Sequence, residues 1–288
     1  MGKFDGVLLV SDYDDTLADT AGFAARNLPK PEIPRRNLEA LRYFMENGGR
    51  FGVITGRAWQ IFRDLAADVP MNAPCGVGNG AGLIDPQTER FLYARFLPED
   101  APERLEEIRR AFPDLACELY RADHRADAVN PNDFARGHAS RAHYQFREIA
   151  SFRETEPPLV KALFEGETEE LERIRQFFLS RSWAGDYEIT FSGRHLLEMT
   201  AKGANKGEAT RVLAGMLGIS MDHVYSAGDH QNDLSMLAAA REGFAPASAI
   251  PAVLASGATI VSPCPQGALA DVVEILDRRY GGERPWSV

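Results

Sequence analysis

Residues Val7 to Leu17 constrain this chain more than any other stretch. The apolar run Val7-Leu8-Leu9-Val10 ends at Ser11, and two carboxylates follow, Asp12 and Asp14, spaced i and i+2. Side chains of a strand alternate faces, so residues two apart point the same way. A near-continuous apolar run suits a strand buried on both faces of a parallel sheet. The two aspartates then stand side by side where the strand opens into a loop, at the sheet edge where open α/β folds bind ligands. Like charges held together need an offset. A divalent cation supplies one, and oxygen donors suit Mg2+. An EF-hand does not fit, because its glycine and glutamate positions, counted from Asp12, fall on Leu17 and Phe23. Asp14-Asp15-Thr16 also has the composition of a turn or helix cap, so the motif by itself leaves both readings open.

The rest of the chain narrows the choice. At 288 residues it exceeds one average domain. Its 44% hydrophobic and 26% charged residues are those of a globular protein. A net charge of −10 argues against nucleic-acid binding, which needs a basic footprint. It also means that an anionic substrate must be met by local positive charge or metal. Cys75, Cys117 and Cys264 lie far apart with no CxxC pair, so neither a disulfide framework nor a zinc site is expected. They read as reduced, buried thiols of a cytoplasmic protein. The apolar run before Asp12 is too short for a signal peptide, no stretch reaches the length of a membrane span, and Gly6 stands where myristoylation needs Ser or Thr. No membrane attachment is expected.

Helix and strand patterns alternate after the first loop. Leu38, Leu41, Phe44 and Met45 are spaced for a helix that Asn47-Gly48-Gly49 stops. Phe51 to Ile54 read as a strand, followed by Thr55-Gly56-Arg57 and a second helix from about Ala58. Pro74 to Val77 lead into Gly78-Asn79-Gly80-Ala81-Gly82. Gly76 to Ala81 match GxGxxA, but Leu83-Ile84-Asp85-Pro86 follow where a dinucleotide site needs a helix, so the cluster reads as a tight turn. From residue 87 to 198 the rhythm changes. Helices over Glu103–Phe112 and Glu167–Leu179 and strands at Phe91–Tyr93, His143–Ile149, Leu159–Phe164, Tyr187–Phe191 and His195–Met199 suggest an inserted α+β unit, with Ser192-Gly193-Arg194 as a hairpin turn. The βαβ rhythm then returns: a helix over Gly207–Leu217, a strand at Val224–Ala227, a helix over Leu234–Ala240, short strands at Gly243–Ala245 and Thr259–Val261, and a last helix over Gly267–Arg279. The expected fold is α/β, with a doubly wound, mostly parallel Rossmann-like core from residues 1–86 and 199–288 and the insert at 87–198.

Strand ends bring further polar residues to the same edge. Ile54 is followed by Thr55, and Ala227 by Gly228-Asp229, with Asn232 and Asp233 one turn on. Lys206 opens the helix between them. Each fragment alone is common; their order along the chain is specific.

Here the sequence resembles the haloacid-dehalogenase (HAD) superfamily of phosphatases, Cof-type, subfamily IIB. Asp12-Tyr13-Asp14-Asp15-Thr16 is similar to its first motif, DxDxT. Thr55 is similar to the second motif, Lys206 to the third, and Gly228-Asp229-His230-Gln231-Asn232-Asp233 to the fourth, GDxxND. The insert lies where the type C2 cap of that superfamily resides. The resemblance implies a Mg2+-dependent phosphatase of a small phosphorylated metabolite, such as a sugar phosphate. Asp12 would be the nucleophile that forms an aspartyl-phosphate, and Asp14 the acid and base. Asp12, the carbonyl of Asp14, Asp229 and Asp233 would hold the metal. Thr55, Gly56 and Lys206 would hold the phosphate, and Asn232 would orient Lys206 or the phosphate. Anionic neighbours would raise the pKa of Asp14. The family often has Gly where this chain has Asp15, which is left without a role. A phosphotransferase or phosphomutase on the same site, or an idle sugar-phosphate-binding protein, remain as alternatives.

In the insert, residues 121–147 are rich in Arg and His. Arg125, Arg136 and Arg141 are candidates for reading an anionic or sugar substrate, against the simpler reading of a solvated loop balanced by Asp123, Asp127 and Asp133. His138 and His143 are five apart, a poor fit to one helix face, so no metal site is expected from that pair. The partner is a phosphorylated small molecule, and the protein a monomer or dimer.

Overall fold

The structure is a computed structural model that describes residues 2–26 and 30–281. The leading half of the core runs β1 (Leu8–Ser11), α1 (Thr20–Arg26), α2 (Arg35–Glu46), β2 (Arg50–Val53), α3 (Trp59–Ala66), β3 (Cys75–Val77), β4 (Gly82–Asp85) and β5 (Arg90–Ala94). The next stretch runs α4 (Ala101–Ala111), β6 (Ala116–Arg121), β7 (Ala126–Val129), α5 (Asp133–Arg141), β8 (Arg147–Glu148), β9 (Leu159–Glu165), α6 (Thr168–Leu179), β10 (Tyr187–Gly193) and β11 (Leu196–Ala201). The chain then returns through α7 (Lys206–Met216), β12 (Val224–Ala227), α8 (Leu234–Ala239), β13 (Glu242–Pro246), α9 (Pro251–Leu254), β14 (Thr259–Val261) and α10 (Ala268–Arg279).

The apolar run before Asp12 forms an inner strand of a five-stranded parallel sheet, ordered β14-β13-β12-β1-β2. Its side chains divide between two layers. Val7 and Leu9 pack with α2 and α10, among Leu41, Phe44, Val273 and Leu276. Leu8 and Val10 pack the other way, against Ala209 and Leu213 of α7 and Met236 of α8. Burial on both faces is why the run does not alternate. The sheet is doubly wound, as expected from the sequence. Strand order reverses at β1, which has β2 on one side and β12 on the other, so the crevice for a ligand opens at its carboxyl end. Register levels the three ends: Ser11 lies opposite both Val53 and Ala227.

The glycine cluster is a turn and not a dinucleotide loop. Gly78–Gly80 make a short 3-10 turn, and β4 follows antiparallel to β3. Asn79 and Gly80 both have positive φ, +57° and +89°. β5 then pairs with β4, across the boundary that the sequence reading places after residue 86.

The intervening stretch forms a six-stranded sheet, β10-β11-β9-β6-β7-β8, antiparallel except where β7 meets β8. Leu105 and Ile108 of α4 and Leu171, Ile174 and Phe178 of α6 cover one face, against Leu119, Phe164 and Leu197. The opposite face carries Glu118, Lys161, Glu165 and Glu198, all buried. Strands β6 and β7, central in this sheet, were not expected, because the acids and arginines of residues 114–127 mask their alternation. Helix α5 was likewise missed. The expected strand His143–Ile149 reduces to Arg147–Glu148, since His143 turns the chain at φ +54°.

Candidate active site

Asp12 leaves β1 with its N–H donating to the Ala227 carbonyl at 2.9 Å, so the ends of β1 and β12 are tied together. The Lys206 ammonium, fully buried at the start of α7, donates to Asp12 Oδ1 at 2.7 Å and to Asp233 Oδ1 at 2.5 Å. Asn205 caps α7 by accepting from Glu208 N–H at 2.9 Å, which fixes where Lys206 emerges. Asp233 Oδ2 accepts the N–H groups of Asp229 and His230 at 3.0 and 2.9 Å, closing the Gly228–Asp233 loop on itself. Thr16 Oγ1 donates to Asp229 Oδ1 at 2.9 Å, joining that loop to the first. One carboxylate oxygen each from Asp12, Asp229 and Asp233 lies within 4.8 Å of the others.

Two of the three acids thus share one buried ammonium. Burial pushes the Asp12 carboxyl up to about 8, helped by Asp233 and Asp14 and opposed by Lys206. Burial, then Asp233 and Asp12, also pushes Asp229 well above the usual carboxylate range. The acids hold more negative charge than Lys206 balances, and every donor is oxygen. That set fits a hard divalent cation such as Mg2+.

Asp14 behaves otherwise. Arg57 grips it with two N–H donors, Nε to Oδ2 at 2.8 Å and Nη2 to Oδ1 at 2.7 Å, and Thr20 Oγ1 adds a third bond at 2.7 Å. Although burial raises its carboxyl, Arg57 outweighs burial and holds Asp14 below the usual range. This corrects the expectation that anionic neighbours raise it. Asp15 also gains a place. It sits at φ +54°, in the left-handed region where glycine is easiest, and accepts the Ala21 N–H at 2.7 Å in the first turn of α1.

Thr55 is buried at the end of the β2 segment, and its Oγ1 accepts the Arg57 N–H at 3.1 Å. Gly56 lies among Asn79, Glu198 and Asn232; a Cβ there would stand 3.1 Å from Asn79 Oδ1 and from Glu198 Oε1. Asn232 Nδ2 donates to Asn79 Oδ1 at 2.8 Å, which ties it to the glycine turn, and Asn232 also lines the cavity.

Above these residues is a cavity of about 650 Å³, lined by Asp12, Asp14, Gly56, Asp229 and Asn232 from the parallel-sheet side. The volume suits a small metabolite. Thr20 and Phe23 of α1 and Arg57, Ile61 and Leu65 at α3 extend that side, and the second sheet and α5 add Lys161, Glu198, Arg194, His138 and Arg141. Of the three arginines named from the sequence, only Arg141 lines it. Arg125 is exposed beside Asp123, and Arg136 pairs with Glu148 at 2.8 Å. Sequence reasoning missed Arg57, Lys161 and Glu198. Arg57 was visible as part of the Thr-Gly-Arg run; Lys161 and Glu198 showed only as charges inside strands.

A doubly wound α/β protein with an acid-lysine site at the carboxyl edge of its parallel sheet is the class that this geometry defines. The pattern of the haloacid dehalogenase-like hydrolases matches residues 9–273, and the chain belongs to that family. An HMP-PP phosphatase of Serratia proteamaculans (strain 568) is 26% identical over 253 residues, covering 85% of this chain and 89% of that protein. The 5-amino-6-(5-phospho-D-ribitylamino)uracil phosphatase YwtE of Bacillus subtilis (strain 168) is 23% identical over 244 residues, 76% and 82% of the two chains. A haloacid dehalogenase-like hydrolase from Bacteroides thetaiotaomicron superposes with a TM-score of 0.77 at 25% identity, over 94% of this chain and 99% of its own. A HAD subclass IIB sugar phosphatase shares the fold with a TM-score of 0.79 at 20% identity, over 94% and 98%. Among the described residues no helix is long and apolar enough to cross a membrane.

Proposed function

We propose that this hydrolase is a Mg2+-dependent phosphatase of a small phosphorylated metabolite, a sugar phosphate in the first instance, working through an aspartyl-phosphate on Asp12. The observation that carries the reading is Lys206 Nζ, 2.5 Å from Asp233 and 2.7 Å from Asp12, which lines the cavity. The ammonium aims the Asp12 carboxylate and offers positive charge to phosphoryl oxygens. The relatives named as phosphatases support the same chemistry.

Asp12, Asp229, Asp233 and the backbone carbonyl of Asp14 would hold Mg2+, which when bound neutralises the repulsion between carboxylates and phosphate. Asp12 attacks phosphorus as the bond to the leaving oxygen breaks; water then attacks the same phosphorus and frees Asp12. Thr55 and Lys206 hold the oxygens of the transferring group. Ionised by Arg57, Asp14 is set to take the proton of the attacking water. Giving a proton to the leaving oxygen requires its release from Arg57, and a substrate anion that draws the guanidinium away would bring that about. The insert acts as a cap that excludes water and contacts the leaving group through Arg141 and Arg194. The three buried, unpaired cysteines fit a reducing, cytoplasmic setting.

The test is phosphate release from a panel of phosphorylated sugars, other phosphorylated metabolites and an aryl phosphate, with Mg2+ and with EDTA. Release that needs Mg2+ and ranks sugar phosphates highest supports the reading. No release from any ester by folded, Mg2+-loaded protein contradicts it.

A further inference from the structure

On the face of the second sheet that looks toward the cavity, two glutamates and a histidine converge. Glu118 of β6 pairs opposite Leu163 of β9, and Glu165 is two residues further along the same face of β9. His138 of α5 closes over them. One oxygen from each glutamate and one ring nitrogen of His138 all lie within 4.8 Å of one another. Glu118 is fully buried and Glu165 is 2% exposed.

Their hydrogen bonding is incomplete in a directed way. The hydroxyls of Tyr120 and Tyr144 both donate to Glu118 Oε2, at 2.5 Å each, and leave Oε1 with no partner. Neither oxygen of Glu165 accepts from a nitrogen or hydroxyl donor, and its close carboxyl neighbour is Glu118, so the two acids crowd each other. Its Oε1 stands 2.8 Å from His138 Nδ1 but off the direction of an N–H, and Nδ1 is also 3.2 Å from the Tyr144 hydroxyl. Lys161, the buried ammonium on this face, is committed to Glu198 at 2.6 Å and to the Gly56 carbonyl at 2.8 Å. Two buried carboxylates therefore turn unpartnered oxygens toward one imidazole, and buried polar groups seldom lack partners.

We propose that Glu118, His138 and Glu165 form a second metal site, for a divalent transition-metal ion of the Zn2+ kind. One such ion balances the charge of the two carboxylates. Imidazole with carboxylate suits Zn2+ better than Mg2+, whose preferred ligands are all oxygen. Tyr120 and Tyr144 act as the outer partners that orient a ligating carboxylate, holding Oε2 so that Oε1 faces the ion. The second ligand set for His138 is thus not His143 but two strand residues far off in sequence. The ion ties α5 to β6 and β9, and Arg141, three residues beyond His138, lines the cavity. Occupancy of this site sets where that arginine stands. The inference does not depend on the chemistry assigned to Asp12.

The test uses EDTA-treated full-length protein loaded with Co2+, an optical stand-in for Zn2+, and compares wild type with Asp229→Asn, His138→Gln, Glu165→Gln and Glu118→Gln. Far-UV circular dichroism of the metal-free proteins checks the fold of each. Wild type and Asp229→Asn are expected to show the intense visible band of a nitrogen-ligated, low-coordinate site and a higher Tm with Zn2+. His138→Gln and Glu165→Gln should lose the band and bind Co2+ at least about tenfold more weakly, the scale on which even outer-partner changes act. Glu118→Gln should weaken it likewise, which keeps the test decisive if one variant fails to fold. A His138→Gln protein with the wild-type spectrum and affinity overturns the proposal. So does a wild type with no band and no rise in Tm.

Discussion

Lys161 reaches out of the antiparallel sheet and donates to the backbone carbonyl of Gly56 at 2.8 Å. Gly56 follows Thr55 directly, so a strand of the insert is fastened to the loop that closes the floor of the cavity. The same ammonium is 2.6 Å from Glu198, and both side chains are 3% exposed.

Replacing Lys161 with Met leaves Glu198 buried and uncompensated. Breaking a buried pair in this way costs about 3–5 kcal/mol, whereas removing both charges costs far less. Urea unfolding of Lys161→Met, Glu198→Gln and the double variant checks this. The double variant should be more stable than Lys161→Met alone.

Gly80 is left-handed at φ +89°, and a Cβ on it would stand 2.4 Å from the carbonyl oxygen of Asn205. Asn205 caps the helix that begins with Lys206. Gly80→Ala therefore strains the turn and pushes on the base of the site, with a cost on the order of 1–3 kcal/mol for a forced backbone. Thermal unfolding and phosphate release should fall together, although residue 80 bears no side chain that reaches the cavity.

Glu106 gives a pH dependence away from any metal ligand. Its carboxylate accepts from Ser151 Oγ at 2.6 Å, Phe152 N at 2.9 Å and Arg109 Nε at 3.0 Å. Burial opposes ionisation, yet these donors hold its pKa below the ordinary 4.5. A depressed carboxylate adds stability that is full above its unfolded pKa and is lost as pH falls through the folded one. Glu106→Gln should cost about 1.5–3 kcal/mol at pH 7, the range for hydrogen bonds to a charged group. Denaturant titrations should show that deficit shrink below about pH 4.5.

The parallel core was legible because its strands end in marked residues. Val7–Val10, Phe51–Ile54 and Val224–Ala227 are apolar runs that break at Asp12, Thr55 and Gly228, and register alone brings those breaks together. The insert was less legible. β6 reads Ala-Cys-Glu-Leu-Tyr-Arg, and its alternation is hidden because Glu118 and Tyr120 are buried polar residues on the inward face. The state of Asp14 could not be read either. It depends on an arginine 43 residues away that arrives only when β1 and β2 lie side by side. Lys161 and Glu198 form their pair across strands separated by a whole helix, so nothing local announces them.

The central claim is that Asp12 carries the phosphoryl group. A rapid acid quench during turnover of the best substrate, followed by peptide mapping, tests it most directly. The expected result is a phosphoryl adduct on Asp12 in wild type, and in Asp12→Asn neither adduct nor phosphate release, with the fold intact by circular dichroism. An adduct on another residue, or an Asp12→Asn protein that still releases phosphate at the wild-type rate, would contradict it.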